Sequence, residues 1–273
     1  MHTVKWNGQV KAVAATWDEL SRPQLRRLLP ILAGSYADPH RQWLDVLPVL
    51  LGVSQPLLLR AGAVQLVQLR WLTNFLLQEP VGLIRVPLPA LRPAWYRRPL
   101  FAPGDELAGV CFLEFAYADA YFVAYCRDLQ AKWLNCLLGT LYRPQRARYR
   151  PRAADYAGDR RADFNEYLVE GYAARLARLP AADKALVFTW YRGCRRALEL
   201  RYPHVFTPAG EEQAAGHPDG WAFVLREMSG QAFGSFQETG RQPAHQVLAK
   251  MNDDIARAEQ LRREQEAQQR ATS

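Results

Sequence analysis

Cysteine is scarce in this chain of 273 residues. Its four cysteines, Cys111, Cys126, Cys136 and Cys194, form no C-x-x-C pair, and each lies in an apolar stretch. That spacing excludes the common thiolate zinc and thioredoxin-type patterns. It fits small core side chains in a reducing compartment. The five histidines (His2, His40, His204, His217, His245) are scattered, with no His or Cys three or four residues on. His217 and Asp219 lie two residues apart in a loop, which is no metal-site spacing signature. No G-x-S-x-G, P-loop or G-x-G-x-x-G pattern occurs, which removes the usual nucleophile elbow and phosphate cradles. No internal repeat runs at a fixed period.

A long uncharged apolar run is also missing. The most lipid-like stretch, Leu57–Leu77, contains Arg60, Gln65, Gln68, Arg70 and Asn74. An arginine at the bilayer centre costs about 2.5–3.5 kcal/mol even on the lenient insertion scale. The stretch is therefore expected to be a buried helix of a soluble protein. Met1–Gln9 is polar, so no signal peptide is expected, and the expected location is the cytoplasm without membrane association.

What is present is an ordinary globular balance, 49% hydrophobic and 23% charged, with eight tryptophans set among leucines. The charge is unevenly spread. Residues 142–161 read YRPQRARYRPRAADYAGDRR and hold seven arginines against two acids, net +5 out of +8 for the chain. Two apolar, helix-patterned parts flank them. The expected division is therefore 1–141 as a hairpin plus helical bundle, 142–161 as an arginine-rich linker, and 162–273 as a C-terminal helical unit.

In chain order, Asn7-Gly8 between short β-capable runs marks a hairpin over residues 3–15. Thr16 and Glu19 form a capping-box pattern ahead of a helix bearing Leu20, Leu25, Leu28, Leu29 and Leu32. Asp38-Pro39 is the N-cap and N1 pair of a second helix that ends at Gly52, with Pro48 inside it. Ser54 and Pro56 open a long third helix to about Gln78. Six prolines between 80 and 103 predict an extended loop, pinned by Trp95, Tyr96 and Phe101. An aromatic helix follows from Asp105, then another to Leu141. Further helices are expected over 163–179, 181–202, 221–230 and 243–268, with a glycine-containing turn over 230–242. The fold class is mainly α: an irregular multi-helix bundle with a short N-terminal β-hairpin and a smaller C-terminal helical unit.

Candidate chemistry is thin. Glu114 and Asp119 sit five residues apart on the aromatic helix, about 140° around its axis, so they do not converge as a general acid and base need to. Each is expected to pair with an arginine or to cap a neighbouring segment. No enzyme, cofactor or metal is expected. The arginine stretch has three readings: a solvated linker, a docking arm for an acidic partner, or a nucleic-acid contact through Arg143, Arg146, Arg148, Arg150 and Arg152 with Tyr142, Tyr149 and Tyr156 as stacking partners. On the last helix, Val247, Leu248, Met251 and Ile255 form an apolar stripe that is a candidate partner surface together with Trp221.

Three segments carry a resemblance. They are the hairpin followed by TWDELSRPQLRRLLPIL, then ELAGVCFLEFAYADAYFVAY followed by LLGTLYRP, and DGWAFVLREMSGQAFGSFQETGRQPAHQVLAKMNDDI. Together they resemble proteins encoded in the tail-morphogenesis regions of bacterial prophages, over about half the chain. The last segment matches a W-x-x-V-L-x-x-[LM]-[AS] pattern at Trp221, Val224, Leu225, Met228 and Ser229. The resemblance implies a tail-assembly factor, such as a chaperone for the long helical tape-measure protein, with a tail protein as partner. Nucleic-acid binding through 142–161 is the alternative.

Overall fold

The computed structural model describes residues 1–6, 8–34, 41–77, 82–94, 96–152, 158–206, 220, 221, 224, 226, 229 and 234–272. The chain is mainly α, with an N-terminal two-stranded hairpin and a C-terminal helical unit. Its compact units do not follow the boundaries that the charge pattern suggests. Unit 1 comprises Met1–Leu88 and Pro180–Arg196; unit 2 comprises Pro89–Leu179 and Ala197–Ser273. Each unit is built from two separate pieces of chain, because contacts between segments remote in sequence define it.

In unit 1, strands β1 (His2–Trp6) and β2 (Gln9–Val13) pair antiparallel, with Trp6 opposite Gln9. Gly8 takes a φ of +78°, which the tight turn requires and a side chain resists. Asn7 lies outside the described residues. The Thr16–Glu19 pattern yields only a 3-10 turn at Trp17–Glu19, and the Glu19 carboxylate reaches back to the Ala15 amide at 2.7 Å. That contact holds its pKa below the usual carboxylate range, together with the stronger pull of the N-terminal ammonium. Helix α1 (Arg22–Ala33) starts at a different box, Ser21 with Gln24, and buries Leu25 and Leu28. Helix α2 (Gln42–Leu51) buries Trp43, Leu47, Leu50 and Leu51 and ends on Gly52 at φ +62°. The Asp38-Pro39 start proposed for it lies outside the described residues.

The expected long third helix is broken. It becomes α3 (Gln55–Leu58), then a helical run of α4 (Ala63–Leu69), a 3-10 turn (Arg70–Thr73) and α5 (Asn74–Leu77). Gly62 separates the two parts as the cap of α4. The second piece of unit 1 is the first part of α9 (Ala181–Arg201). Trp190 donates from Nε1 to the Ile84 carbonyl at 3.0 Å, Asp18 accepts from the Ile84 and Arg85 amides, and Arg26 pairs with Asp183. A Cβ on Gly193 would lie 2.3 Å from the Leu83 carbonyl oxygen, so only glycine lets the segment at Leu83 approach α9 this closely.

In unit 2 the proline-rich segment is less bare than expected: β3 (Ala90–Leu91) pairs with β4 (Leu100–Phe101). Leu91 and Leu100 anchor it, while Tyr96 is exposed and Trp95 lies outside the described residues. Helix α6 (Phe112–Asp128) runs beside α7 (Ala131–Leu141), which crosses α8 (Val169–Leu176). Asn165 caps the short turn before α8 by accepting from the Tyr167 amide. The turn expected over 230–242 contains a helix, α10 (Phe236–Arg241), started by a Ser235–Glu238 capping box. The last helix, α11, covers Ala244–Thr272.

The crossing of α7 and α8 depends on Gly139. A Cβ there would meet the Val169 carbonyl oxygen at 2.7 Å and the Ala173 amide at 2.8 Å. Gly171 on α8 has open space around it. Gly139→Ala is expected to destabilise the protein by about 1–3 kcal/mol through overpacking, whereas Gly171→Ala is expected to stabilise it by about 0.5–1 kcal/mol through helix propensity. Urea unfolding of the two variants checks the opposite signs.

Candidate functional site

The two ends of residues 142–161 are tied down. Tyr142 is fully buried. Arg143 faces Phe101 across an antiparallel bridge, and Gln145 faces Arg161. The Arg146 amide donates to the Arg160 carbonyl, and the Ala162 amide to the Pro144 carbonyl. A solvated linker would leave these groups to water. Here they close the base of a loop.

Under that base lie two buried guanidiniums. Arg161 is fully buried; its Nη1 donates to Glu114 Oε1 at 2.5 Å and to the Leu141 carbonyl at 2.8 Å. Its Nη2 donates to Asp159 Oδ2 at 2.9 Å and to the Gly109 carbonyl at 3.2 Å, and its Nε reaches Asp159 Oδ1 at 3.0 Å. Arg143 Nη1 meets Glu114 Oε1 at 2.7 Å, while its Nε donates to the Ala162 carbonyl at 2.8 Å. Two positive and two negative groups therefore share one dry site with no net charge. Burial works against the Arg161 charge, but Glu114 and Asp159 outweigh it and hold its pKa above the ordinary arginine value. Gly109 is needed because φ is +77° there and a Cβ would press on the Asp159 side chain at 3.3 Å.

This geometry corrects the sequence reading of the loop. Arg143 is a structural cation and is not available to a partner. Arg146 is also engaged within the chain, from Nε to the Arg161 carbonyl and from Nη2 to the exposed Asp163. The Arg160 guanidinium lies 3.7 Å from the Phe101 ring centroid and 5.1 Å from that of Tyr149. Arg148, Arg150 and Arg152 remain at an exposed tip. Tyr142 cannot stack on a base, Tyr149 is half-buried, and Tyr156 lies outside the described residues.

The stripe on the last helix is corrected too. Val247, Leu248 and Met251 are core residues of unit 2, and Ile255 is half-buried. The Cys111–Pro243 bridge and the Ala244 amide on the Val110 carbonyl hold the start of α11 to the start of α6. His245 lies between Tyr202 and the Glu106 carbonyl. From Gln260 to Arg270 α11 is exposed, and polar except for Leu261 and Ala267. Trp221 is likewise anchored inward. Its Nε1 donates to Asp119 Oδ2 at 2.8 Å, and its ring meets Phe112, Phe115 and Phe206 edge-on. Glu114 thus pairs with arginines as expected, and Asp119 holds a tryptophan. Leu225, Met228, His217 and Asp219 lie outside the described residues.

The exposed feature that sequence reasoning missed is the stretch expected to be buried. Helix α4 has no buried residue. Val64 is 72% exposed, Val67 63%, Leu59 60% and Trp71 47%, and Leu57 and Leu77 are exposed beside them. The helical run is seated on unit 1 by Leu72, which is fully buried, and Leu58 does the same for α3. Trp71 is braced edge-on by His2, with ring centroids 4.7 Å apart. The hints in the sequence are Gly62, which breaks the helix, and the polar Arg60, Gln65, Gln68, Arg70 and Asn74 that interrupt the apolar run.

Among the described residues, no group of His, Cys, Asp or Glu is arranged to hold a metal ion, and no helix is long and apolar enough to cross a membrane. No family model, curated protein or solved structure matches the chain.

Removing Glu114 leaves two buried guanidiniums without their shared anion. Glu114→Ala is expected to cost about 3–5 kcal/mol, and Arg148→Ala at the exposed tip to stay within about 0.5 kcal/mol. Equilibrium urea unfolding compares them. A second check uses the thiols, none of which is in a disulfide. Burial pushes Cys111 up to about 11, whereas Cys126 is exposed. At pH 8 a thiol reagent is expected to label Cys126 first and to reach Cys111 and Cys194 only after unfolding, read by peptide mass spectrometry.

Proposed function

We propose that this protein is a non-enzymatic docking protein for an α-helical protein partner, and that the partner sits on the apolar surface of residues 57–77. The observation that carries the proposal is the exposure of Leu57, Leu59, Val64, Val67, Trp71 and Leu77 on one short segment. Single exposed apolar side chains are normal on a protein surface, but a run of this kind marks a contact site. Val64, Val67 and Trp71 recur at i, i+3 and i+7, the spacing with which one helix presents anchors to another. The buried acids are occupied in internal contacts, which supports a binding role over a catalytic one.

The resemblance to prophage tail-region proteins gives this role a setting. The partner is then a long helical tail component such as a tape-measure protein, held in the cytoplasm before assembly. A nucleic-acid reading retains three arginines of the original seven, Arg148, Arg150 and Arg152, on a tip whose base is anchored.

The test is capture from host lysate, with and without nuclease, by three forms: the parent, Val64→Glu with Val67→Glu, and Arg148→Ala with Arg150→Ala and Arg152→Ala. The expected result is a helical tail protein recovered by the parent and the arginine variant in both lysates, and reduced at least tenfold by the valine variant. Capture that disappears with nuclease or with the arginine variant overturns the docking reading in favour of the nucleic-acid one.

A further inference from the structure

We infer that the surface of residues 57–77 selects an amphipathic helix whose apolar face is flanked by acidic side chains. This rests on the docking function proposed above and adds the chemistry of the partner. From residue 46 to residue 78 the chain carries no acid; its charged residues are Arg60 and Arg70, both exposed. The other polar side chains exposed on the helical run are the neutral Gln65, Gln68 and Asn74. The charge of the whole unit has the same sign. Unit 1 holds 13 basic and 6 acidic side chains, net +7, and unit 2 holds 22 and 21, net +1. Grouped by compact unit, most of the chain's net positive charge falls in the unit that carries the apolar surface.

The positions fit a clamp. On a helical wheel Val64, Val67 and Trp71 fall within about 60°, and Arg70 lies about 60° to one side of that arc. Arg60 stands just before the Gly62 break, at the other end of the stripe. The run from Ala63 to Leu77 is about 22 Å long, enough to lie along some four turns of a partner helix. Trp71 is held in place by His2, so its ring needs little ordering on binding. A second copy of this chain is a poor occupant, because the only charged residues of the 57–77 stretch are Arg60 and Arg70, so two copies would offer each other like charges. An acid-flanked helix meets the same arginines with opposite charge, and like charges on a wrong partner are rejected.

The experiment uses the full chain and two labelled 18-residue helical peptides with the same leucine face, one flanked by glutamate and one by lysine. Fluorescence anisotropy is measured in dilute and in 0.3 M salt, with phosphatidylserine vesicles as a third probe. The glutamate peptide is expected to bind at least tenfold more tightly, with the advantage shrinking in salt. Arg60→Glu with Arg70→Glu, exposed changes that leave the core untouched, are expected to reverse the preference. Equal binding of both peptides, abolished by Val64→Glu with Val67→Glu, overturns acid selection and leaves the docking function standing. Failure of both peptides to bind overturns both the inference and the docking function. Binding to vesicles with no preference between the peptides also overturns the inference and identifies a lipid surface.

Discussion

Two guanidiniums and two carboxylates removed from water together set the terms for unit 2. Arg161 and Arg143 share Glu114, and Asp159 closes the other side of Arg161. An isolated charge at that depth would be prohibitive; four charges summing to zero, with the guanidinium protons directed at carboxylates and carbonyls, are tolerable. The participants come from the start of α6, the end of α7, the loop before α6 and both ends of the arginine segment. None of these segments can shift without breaking a hydrogen bond to a buried cation, so one salt-bridge set specifies how they assemble.

The same arrangement explains why the most conspicuous charge in the chain is the least available. A run of seven arginines suggests a surface for anions. Two of its members are consumed in neutralising buried acids, one bridges to Asp163, and one lies over aromatic rings. Only the tip of the loop keeps the character that composition suggests. Apolar residues behave in the opposite way here. The stripe on α11 looks like a surface for partners and is largely core, whereas the stretch from Leu57 to Leu77 looks like core and leaves Leu59, Val64, Val67 and Trp71 in solvent while Leu58 and Leu72 are buried.

The mechanism of binding suggested by this layout divides labour between the units. Unit 2 owes its form to internal electrostatics and to close helix crossings such as that at Gly139. Unit 1 carries the exposed valines, leucines and tryptophan together with most of the net charge. In the proposed docking role, the apolar ridge would supply affinity by removing surface from water, and the arginines beside it would discriminate among partners.

Local chemistry was legible from the residues alone. Helix periodicity, Asn-Gly and the helix-ending glycine at position 52 announced the mainly α class, the hairpin and most helices. That Glu114 would be engaged, by an arginine or as a cap, followed from the cost of an unpaired acid on an apolar helix; the structure shows it paired with Arg143 and Arg161. What only the tertiary structure decided was burial and partnership between remote segments. A helical pattern names an apolar face without saying whether another element covers it, and Val64 and Val247 look alike until one is left in solvent and the other is enclosed. Charge counted along the chain likewise differs from charge counted in space. Residues 180–196 join the first 88 residues because α9 packs there, and that return, invisible to local periodicity, makes unit 1 the positive one.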